Sequence, residues 1–365
     1  MITGSQINWQ RCQVLVTGGA SFIGSHLVER LIQKGASVRV ADNLSSGRLE
    51  NLDAVQSKIE FLKGDLLEPD FAIKSSQGCK VVFHLAADHG GRGYIASHPA
   101  NCVNNMALDN TVFRSAVANG VERITFASSA CVYPTDIQTG KVLLREDMVS
   151  FTQRGGMFAD EEYGWAKLMG ELSLRAYRKQ HGIKAAAVRI FTAYGPRENE
   201  THAIMALIAK AFIEQSPFEI WGDGTQTRNF TYVDDVVNAL VLACESIEDG
   251  SAVNAGISDF ISLNDAAAEV FDIMQWTPPM GIKHQLANPV GVLHRAADGT
   301  FARETTGWQP RHTFREGLER TIEWYVATNQ RKSKRISMRS CGAVISEFVC
   351  RCLCCYQWLE KCAGR

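Results

Sequence analysis

The N-terminal part of the chain carries the order of elements that most narrows its fold. A short apolar run, Cys12–Thr17, leads into a glycine-containing turn, a helical pattern and a second apolar run, Ser37–Ala41, which ends at Asp42. Glycines in such a turn let backbone N–H groups approach a pyrophosphate at the helix N-terminus, and the acid can accept hydrogen bonds from ribose hydroxyls. The pattern therefore predicts a βαβ unit that binds a dinucleotide.

The residues of this unit also indicate which dinucleotide is bound. An acid at position 42 disfavours the 2′-phosphate of NADP, so NAD is the expected cofactor. Ser21 stands where a middle glycine is usual, and its Cβ could crowd the cofactor or its hydroxyl could donate to a phosphate. The candidate NAD-binding residues of the unit are Gly18, Ala20, Ser21, Phe22, Ile23, Gly24, Asp42 and Asn43.

Strand and helix patterns alternate through the first half of the chain. This alternation predicts an α/β fold with a doubly wound parallel sheet of the Rossmann type. After Gly195 and Pro196 the character changes, and the following segment reads as a smaller, interleaved C-terminal domain that closes over a substrate. The predicted units are an NAD-binding domain at 11–195, a substrate domain at 196–330 and a basic, Cys-rich, poorly ordered tail at 331–365.

A second motif carries acid/base chemistry. Tyr163 and Lys167 are four residues apart, so they share one helical face, and the ammonium can draw the phenol pKa down from about 10 towards neutrality. Ser129, at the end of a preceding strand, can share a hydrogen bond with the same substrate hydroxyl. These groups can take a proton from an alcohol while a hydride leaves its carbon. Cys131 adds a second acid/base group, with a free pKa of about 8.5.

These motifs resemble those of the extended short-chain dehydrogenase/reductase family, the NAD-dependent nucleotide-sugar epimerases and dehydratases. The resemblance runs from about Gln13 to Gln330. Within that family, the group of GDP-mannose 3,5-epimerases is similar in four stretches. The stretches are Asp88–Ile95, Ser128–Pro134, 218–228 and 253–256.

The resemblance implies a reaction and a set of site residues. The enzyme would be an NAD-dependent nucleotide-sugar epimerase, in which Ser129, Tyr163 and Lys167 run a redox cycle at C4 of a nucleotide-diphosphate hexose, GDP-mannose being favoured. Oxidation at C4 acidifies C3 and C5, where Cys131 and His202 would exchange protons. His202 falls about where the family has a lysine. The further NAD-binding residues are Asp65, Leu66, Leu85, Ala86, Ala87, Tyr163 and Lys167; the substrate-binding residues are Gly91, Arg92, Ser129, Cys131, Thr192, His202, Trp221, Arg228 and Arg295.

Two other functions stay open on the sequence. The first is a UDP-hexose 4-epimerase or a related dehydratase that uses the same triad and gives Cys131 a minor role. The second is a catalytically silent NAD-binding regulatory protein, which the departures at Ser21 and at Thr192, where the family usually has asparagine, keep open.

Composition excludes several other classes of protein. A net charge of −1 gives no general field for nucleic acid. No apolar run reaches the roughly 18–20 residues of a membrane span. Scattered cysteines in apolar settings favour a reducing compartment, so we expect a cytoplasmic protein. We also expect that the protein has no metal site and that it forms a homodimer. For the cysteine cluster at Cys341–Cys362, zinc ligation and a lipid-modified anchor are alternatives to an appended tail without a catalytic role.

Overall fold

Strands and helices alternate along the chain in the computed structural model, which describes residues 7–149 and 159–340. The strands are β1 (Gln13–Thr17), β2 (Ser37–Asp42), β3 (Ile59–Lys63), β4 (Val81–His84), β5 (Arg123–Ser129), β6 (Leu143–Leu144), β7 (Lys184–Ile190), β8 (Ala193–Tyr194), β9 (Phe218–Trp221), β10 (Thr227–Arg228), β11 (Thr231–Tyr232), β12 (Asp249–Ala255), β13 (Ile261–Ser262), β14 (Ile282–Gln285) and β15 (His294–Ala297). The helices are α1 (Phe22–Gln33), α2 (Pro69–Ser76), α3 (Arg92–Ser97), α4 (Pro99–Val103), α5 (Asn105–Ala118), α6 (Glu161–His181), α7 (Ala203–Phe212), α8 (Val233–Ser246), α9 (Leu263–Met274), α10 (Thr300–Thr306) and α11 (Phe314–Ser340).

A parallel sheet forms the centre of the molecule. Its strand order is β12-β7-β5-β4-β1-β2-β3, and every neighbouring pair runs parallel. The order reverses between β1 and β4, and the crevice outside the carboxyl ends of the strands at such a point is where α/β sheets bind ligands. The predicted doubly wound parallel sheet is confirmed.

Both faces of this sheet are covered by helices, because successive side chains of a buried strand point to opposite sides. Val14 and Val16 of β1 belong to a core cluster with residues of α1 and α8. Leu15, between them, belongs to another cluster with residues of α2, α5 and α6. The short apolar strands therefore hold two layers of helix at once, and their carboxyl ends stay free for the site.

The two predicted units exchange strands. The edge strand β12 lies after residue 195 and completes the parallel sheet, whereas β6 lies before that point and joins a small sheet of order β13-β10-β15-β6. Two further pairs, β8 with β11 and β9 with β14, complete the smaller part. Residues far apart in the sequence are thereby brought to one edge of the large sheet.

The last helix, α11, continues to Ser340, past the start of the predicted tail at residue 331. The remainder of that tail, with the cysteine cluster Cys341–Cys362, lies outside the described residues. Among the residues that are described, no helix has the length and apolar character needed to cross a membrane.

Candidate active site

The turn between β1 and α1 is shaped for close approach. Gly18 has a φ of +67°, and a Cβ there would lie 2.9 Å from the backbone nitrogen of Ala86, at the end of β4. The hydroxyl of Ser21 donates to the carbonyl of Gly18 at 2.5 Å, so this side chain folds back into the turn. The N-terminus of α1 has no side-chain cap, which leaves its first N–H groups for an anion such as a pyrophosphate.

Asp42, at the end of β2, fastens this turn to the sheet. Its two carboxylate oxygens accept from the backbone nitrogens of Ala20, at 2.9 Å, and Leu44, at 2.8 Å. Burial raises the pKa of Asp42, and these two hydrogen bonds oppose the shift. Each oxygen of a carboxylate has two lone pairs, so the group keeps acceptor capacity for ribose hydroxyls.

The other predicted cofactor residues lie along the same edge of the sheet. The hydroxyl of Thr17 accepts from the backbone nitrogens of Leu85 and Ala86, both at 3.1 Å, and contacts Nδ1 of His84 at 2.8 Å. Asp65 follows β3, and its carboxylate accepts from the nitrogen of Leu67. The tight β1–α1 turn, the uncapped helix and the Asp42 carboxylate all fit NAD. Around them lie Phe22, Ile23 and Gly24 in α1, and Asn43, Leu66 and Ala87 just beyond the strand ends.

The predicted catalytic triad meets at the end of β5. Ser129 ends that strand and hydrogen-bonds to Tyr163, which lies one helical turn before Lys167 on α6. Tyr163 is 8% exposed and Lys167 is 2% exposed. The Lys167 ammonium lies 4.7 Å from the ring centre of Phe126 and 6.0 Å from that of Tyr163.

The electrostatics of the triad differ from the sequence-based expectation. Burial raises the pKa of Tyr163, with further increases from Cys131 and Asp109, while the hydrogen bond with Ser129 lowers it. Burial also lowers the pKa of Lys167, although the Asp109 carboxylate opposes that shift. Desolvation thus outweighs the expected effect of the ammonium on the phenol, because both groups are taken out of water together.

Cys131 lies in a single helical turn that follows β5. Its sulfur accepts from Nη1 of Arg295 at 3.4 Å, and its backbone nitrogen donates to the hydroxyl of Ser129 at 3.1 Å. Arg295 also donates through Nη2 to Asp160 at 2.8 Å. Burial acts to lower the pKa of Arg295, but Cys131 and Asp160 raise it overall. Arg295 thus places a guanidinium donor directly against the sulfur.

Three arginines gather beside this cysteine. Asp160 joins Arg295 to Arg92, whose Nη1 lies 2.8 Å from the carboxylate, and Arg92 also pairs with Glu161. Arg228 donates to two backbone carbonyls, of Thr227 and Val290, and burial lowers its pKa to about 9, helped by the charge of Arg295. The planar guanidinium forks of these three cations suit a diphosphate. We call these three residues the arginine cluster.

His202 and Trp221 approach from the smaller part of the molecule. Nδ1 of His202 lies 2.8 Å from the Glu198 carboxylate. A Cβ on Gly91 would lie 3.4 Å from the His202 ring, and one on Gly93 would lie 3.5 Å from the Trp221 ring. The glycine loop of residues 90–93 therefore lies between these two side chains.

Two residues of the site were not predicted from the sequence, and one predicted residue makes no side-chain hydrogen bond with the other described residues of the site. Asp160 and Glu198 were not predicted, although Asp160 opens the acidic run before Tyr163 and Glu198 stands four residues before His202. Thr192, between β7 and β8, has its backbone carbonyl bound to the nitrogen of Thr231, and no hydrogen bond joins its hydroxyl to the other described site residues.

The sequence of this chain is similar to those of known proteins over most of its length. The NAD-dependent epimerase/dehydratase family matches residues 14–256. GDP-mannose 3,5-epimerase 1 of Oryza sativa subsp. japonica is 32% identical over 322 residues, which cover 86% of this chain and 82% of that protein. UDP-glucose 4-epimerase of Mycolicibacterium smegmatis is 30% identical, covering 87% of this chain and 100% of the relative.

The fold of this chain is also similar to that of a solved epimerase structure. The UDP-glucuronic acid 4-epimerase of Bacillus cereus, in complex with UDP-glucuronic acid and NAD, superposes with a TM-score of 0.76 at 27% identity and covers 87% of this chain and 99% of its own. The NAD turn, the buried triad and these matches over most of the chain lead to one conclusion. The chain belongs to the NAD-dependent epimerase/dehydratase family, the extended short-chain dehydrogenase/reductases that act on nucleotide sugars.

Proposed function

We propose that this chain is a nucleotide-sugar epimerase that inverts C3 and C5 of a GDP-hexose, with GDP-mannose favoured, through transient oxidation at C4. One observation carries the proposal: the site holds acid/base groups beyond the triad. The Cys131 sulfur accepts a hydrogen bond from Arg295 at 3.4 Å, and Nδ1 of His202 lies 2.8 Å from the Glu198 carboxylate. A 4-epimerase has no need of such groups, since its chemistry is complete with hydride and hydroxyl proton transfer at C4.

The redox half of the cycle belongs to the triad. Bound NAD supplies the hydride acceptor for C4 and carries a positive charge of its own. Tyr163 takes the proton of the C4 hydroxyl as the phenolate, a form that the positive charges of Lys167 and of bound NAD would favour. Ser129 hydrogen-bonds the phenolic oxygen, and Lys167 lies one helical turn away. The same residues return the proton when the ketone is reduced.

The exchange half of the cycle belongs to Cys131 and His202. A ketone at C4 makes the protons on C3 and C5 acidic, because the carbanion becomes an enolate. The Cys131 thiolate, beside Arg295, removes such a proton, and the His202 imidazolium returns one to the carbon. The arginine cluster holds the diphosphate, which keeps the sugar in place through both halves of the cycle.

A UDP-hexose 4-epimerase is the second candidate. Ser129, Tyr163 and Lys167 suffice for that reaction, and the matched UDP-glucose 4-epimerase is covered over its whole length. In this reading the Cys131 sulfur serves only as a hydrogen-bond acceptor for Arg295.

The substitution Cys131→Ser separates the two candidates. It keeps the shape of the side chain but replaces a thiol by a far weaker acid, so deuterium uptake from D₂O into C3 and C5 of GDP-mannose should fall by at least about 100-fold. Transient reduction of the cofactor should persist. The matched control is Cys79→Ser, which removes another thiol beside an arginine, at 3.6 Å from Arg39, outside the site. Undiminished exchange in Cys131→Ser would favour the 4-epimerase.

We also propose that the protein is a homodimer. The packed helices α5 and α6 expose large apolar side chains, and those of α6 recur at helical spacing on one face. A second copy of the same face would cover them. The exposed residues are Met106, Trp165, Met169 and Leu172. Light scattering that returned the mass of a single chain at micromolar concentration would contradict this proposal.

A further inference from the structure

A buried carboxylate stands behind His202. The side chain of Glu198 is 3% exposed, and one oxygen accepts from or shares a proton with Nδ1 of His202 at 2.8 Å. Its other oxygen is buried and has no hydrogen-bond partner among the described residues. A buried carboxylate is costly unless it is paired, so the imidazole is the group that makes this position tolerable.

The pair is oriented towards the site. The His202 ring lies against the backbone of Gly91 and 6.1 Å from the ring of His89, and His89 in turn feels the charge of Lys167. Nδ1 is engaged with Glu198, whereas Nε2 makes no hydrogen bond within the described part of the chain. The side chain of His202 is 27% exposed, so the ring is accessible from outside the packed core.

The surroundings of the His202 ring favour a proton on the Glu198–His202 pair. Burial acts to lower the pKa of His202, but the hydrogen bond and the charge of Glu198 raise it overall. Burial also raises the pKa of Glu198. His89 does not compete, because burial first and the charge of His202 second lower its pKa to about 4. Within its own loop, Glu200 is bound to the hydroxyl of Tyr325 instead.

We propose that Glu198 is a positioning residue for the C3/C5 exchange: its buried carboxylate holds Nδ1 of His202, presents Nε2 to the sugar, and thereby makes His202 the proton donor opposite the base Cys131. The inference rests on the proposed function. It adds to the proposed function the group that holds His202 in its proton-donating role.

The proton balance follows from that assignment. The Cys131 thiolate forms an S–H bond as the C–H bond breaks, and the electron pair moves into the enolate. The enolate carbon then forms a new C–H bond with the proton of His202 Nε2, which leaves a neutral imidazole that keeps its Nδ1 proton, hydrogen-bonded to the Glu198 carboxylate. Solvent restores the thiolate and the imidazolium, so label from D₂O enters the product.

The test is Glu198→Gln, which keeps an acceptor for Nδ1 and removes the charge. The His202 imidazole is followed by NMR with ¹³C-labelled histidine and assigned by its loss in His202→Gln. We expect its pKa to fall by about one pH unit or more, since an opposite charge at this distance shifts a pKa by about 1–3. The alkaline limb of the exchange rate should move to lower pH with it, while Glu198→Asp restores both.

The matched control is Glu200→Gln, a charge change in the same loop that should leave the titration of His202 unmoved. An unchanged His202 titration in Glu198→Gln would overturn the inference, as would a wild-type His202 that titrates below the free value of about 6.5. The wild-type measurement stands even where a variant fails to fold. Failure of the proposed function looks different: GDP-mannose then shows no exchange at C3 or C5, while the titration still reports the Glu198–His202 pair.

Discussion

At the scale of single residues, burial sets the protonation of the triad. It raises the pKa of Tyr163 and lowers that of Lys167, so each group is driven towards its neutral form in the chain alone. The Asp109 carboxylate raises the pKa of both groups: it favours the Lys167 ammonium, but it disfavours the Tyr163 phenolate that would act as the base. In the proposed function the Tyr163 phenol exchanges a proton with the C4 hydroxyl, so its removal should lower turnover more than any other change to the triad.

The substitution Tyr163→Phe removes that phenol without changing the packing of the ring. Turnover should fall by at least about 100-fold, as is usual for a positioned general base, while NAD still binds. Steady-state rates and cofactor titration measure the two effects. The control is Tyr177→Phe on the same helix, whose hydroxyl bonds Asn110 at 2.7 Å, away from the triad. A Tyr163→Phe enzyme that kept more than a hundredth of the rate would show that another base acts at C4.

Some of the residue geometry follows from the sequence and some does not. The spacing of Tyr163 and Lys167 predicts a shared helix face, and α6 confirms it. The contacts of Arg295 with Cys131 and Asp160 join residues 164 and 135 positions apart, and no local pattern encodes such pairs. The sequence also did not predict that burial outweighs charge in setting the pKa values of Tyr163 and Lys167, because burial depends on how many atoms surround each group in the folded chain.

At the scale of elements, the β1–α1 turn is constrained in three ways. Gly18 adopts a left-handed φ, and the end of β4 comes so close that a side chain cannot fit. The helix that follows has an uncapped N-terminus, and Asp42 ties the turn to β2. The turn thus combines a left-handed backbone at Gly18, a close approach of that residue to the chain after β4, and N–H groups without a side-chain cap at the start of α1.

The substitution Gly18→Ala tests this combination, and the chain offers a matched control. Gly120 has nearly the same φ, +69°, but a Cβ there meets nothing within 4 Å. Gly120→Ala should cost about 1–2 kcal/mol of unfolding free energy from the backbone alone. Gly18→Ala should cost roughly 1–3 kcal/mol more from overpacking and should weaken NAD binding at least tenfold. Urea unfolding and NAD titration check both; equal losses in the two variants would contradict the close-approach account.

Element prediction succeeded where apolar runs are long and failed where pairing is remote. The runs at Cys12–Thr17 and Ser37–Ala41 match β1 and β2 within a residue. The short strands β10, β13 and β15 were not predicted, because two to four residues become strand only when distant partners pair with them. Helix α9 was also missed, although Ser262 and Asp265 form a capping box that marks its start.

At the scale of the whole molecule, the site is assembled from both interleaved parts. The triad and Cys131 come from β5, the turn after it and α6, while Arg228 and Arg295 lie on β10 and β15. The smaller sheet that carries these arginines also contains β6, from the first part of the chain. This exchange of strands fixes the arginine cluster relative to the triad. The proposed function requires such a fixed arrangement, because one sugar would be held through proton transfer at C4 and at C3 and C5.

In the proposed function, protons at C3 and C5 exchange in this site in addition to the hydride transfer at C4. The most direct measurement is incubation of the wild-type protein, with NAD, on GDP-mannose in D₂O, followed by NMR and mass spectrometry of the sugar. The account predicts deuterium at C3 and C5 together with inverted configuration at those carbons. Inversion at C4 without solvent label, from GDP-mannose or a UDP-hexose, would contradict it.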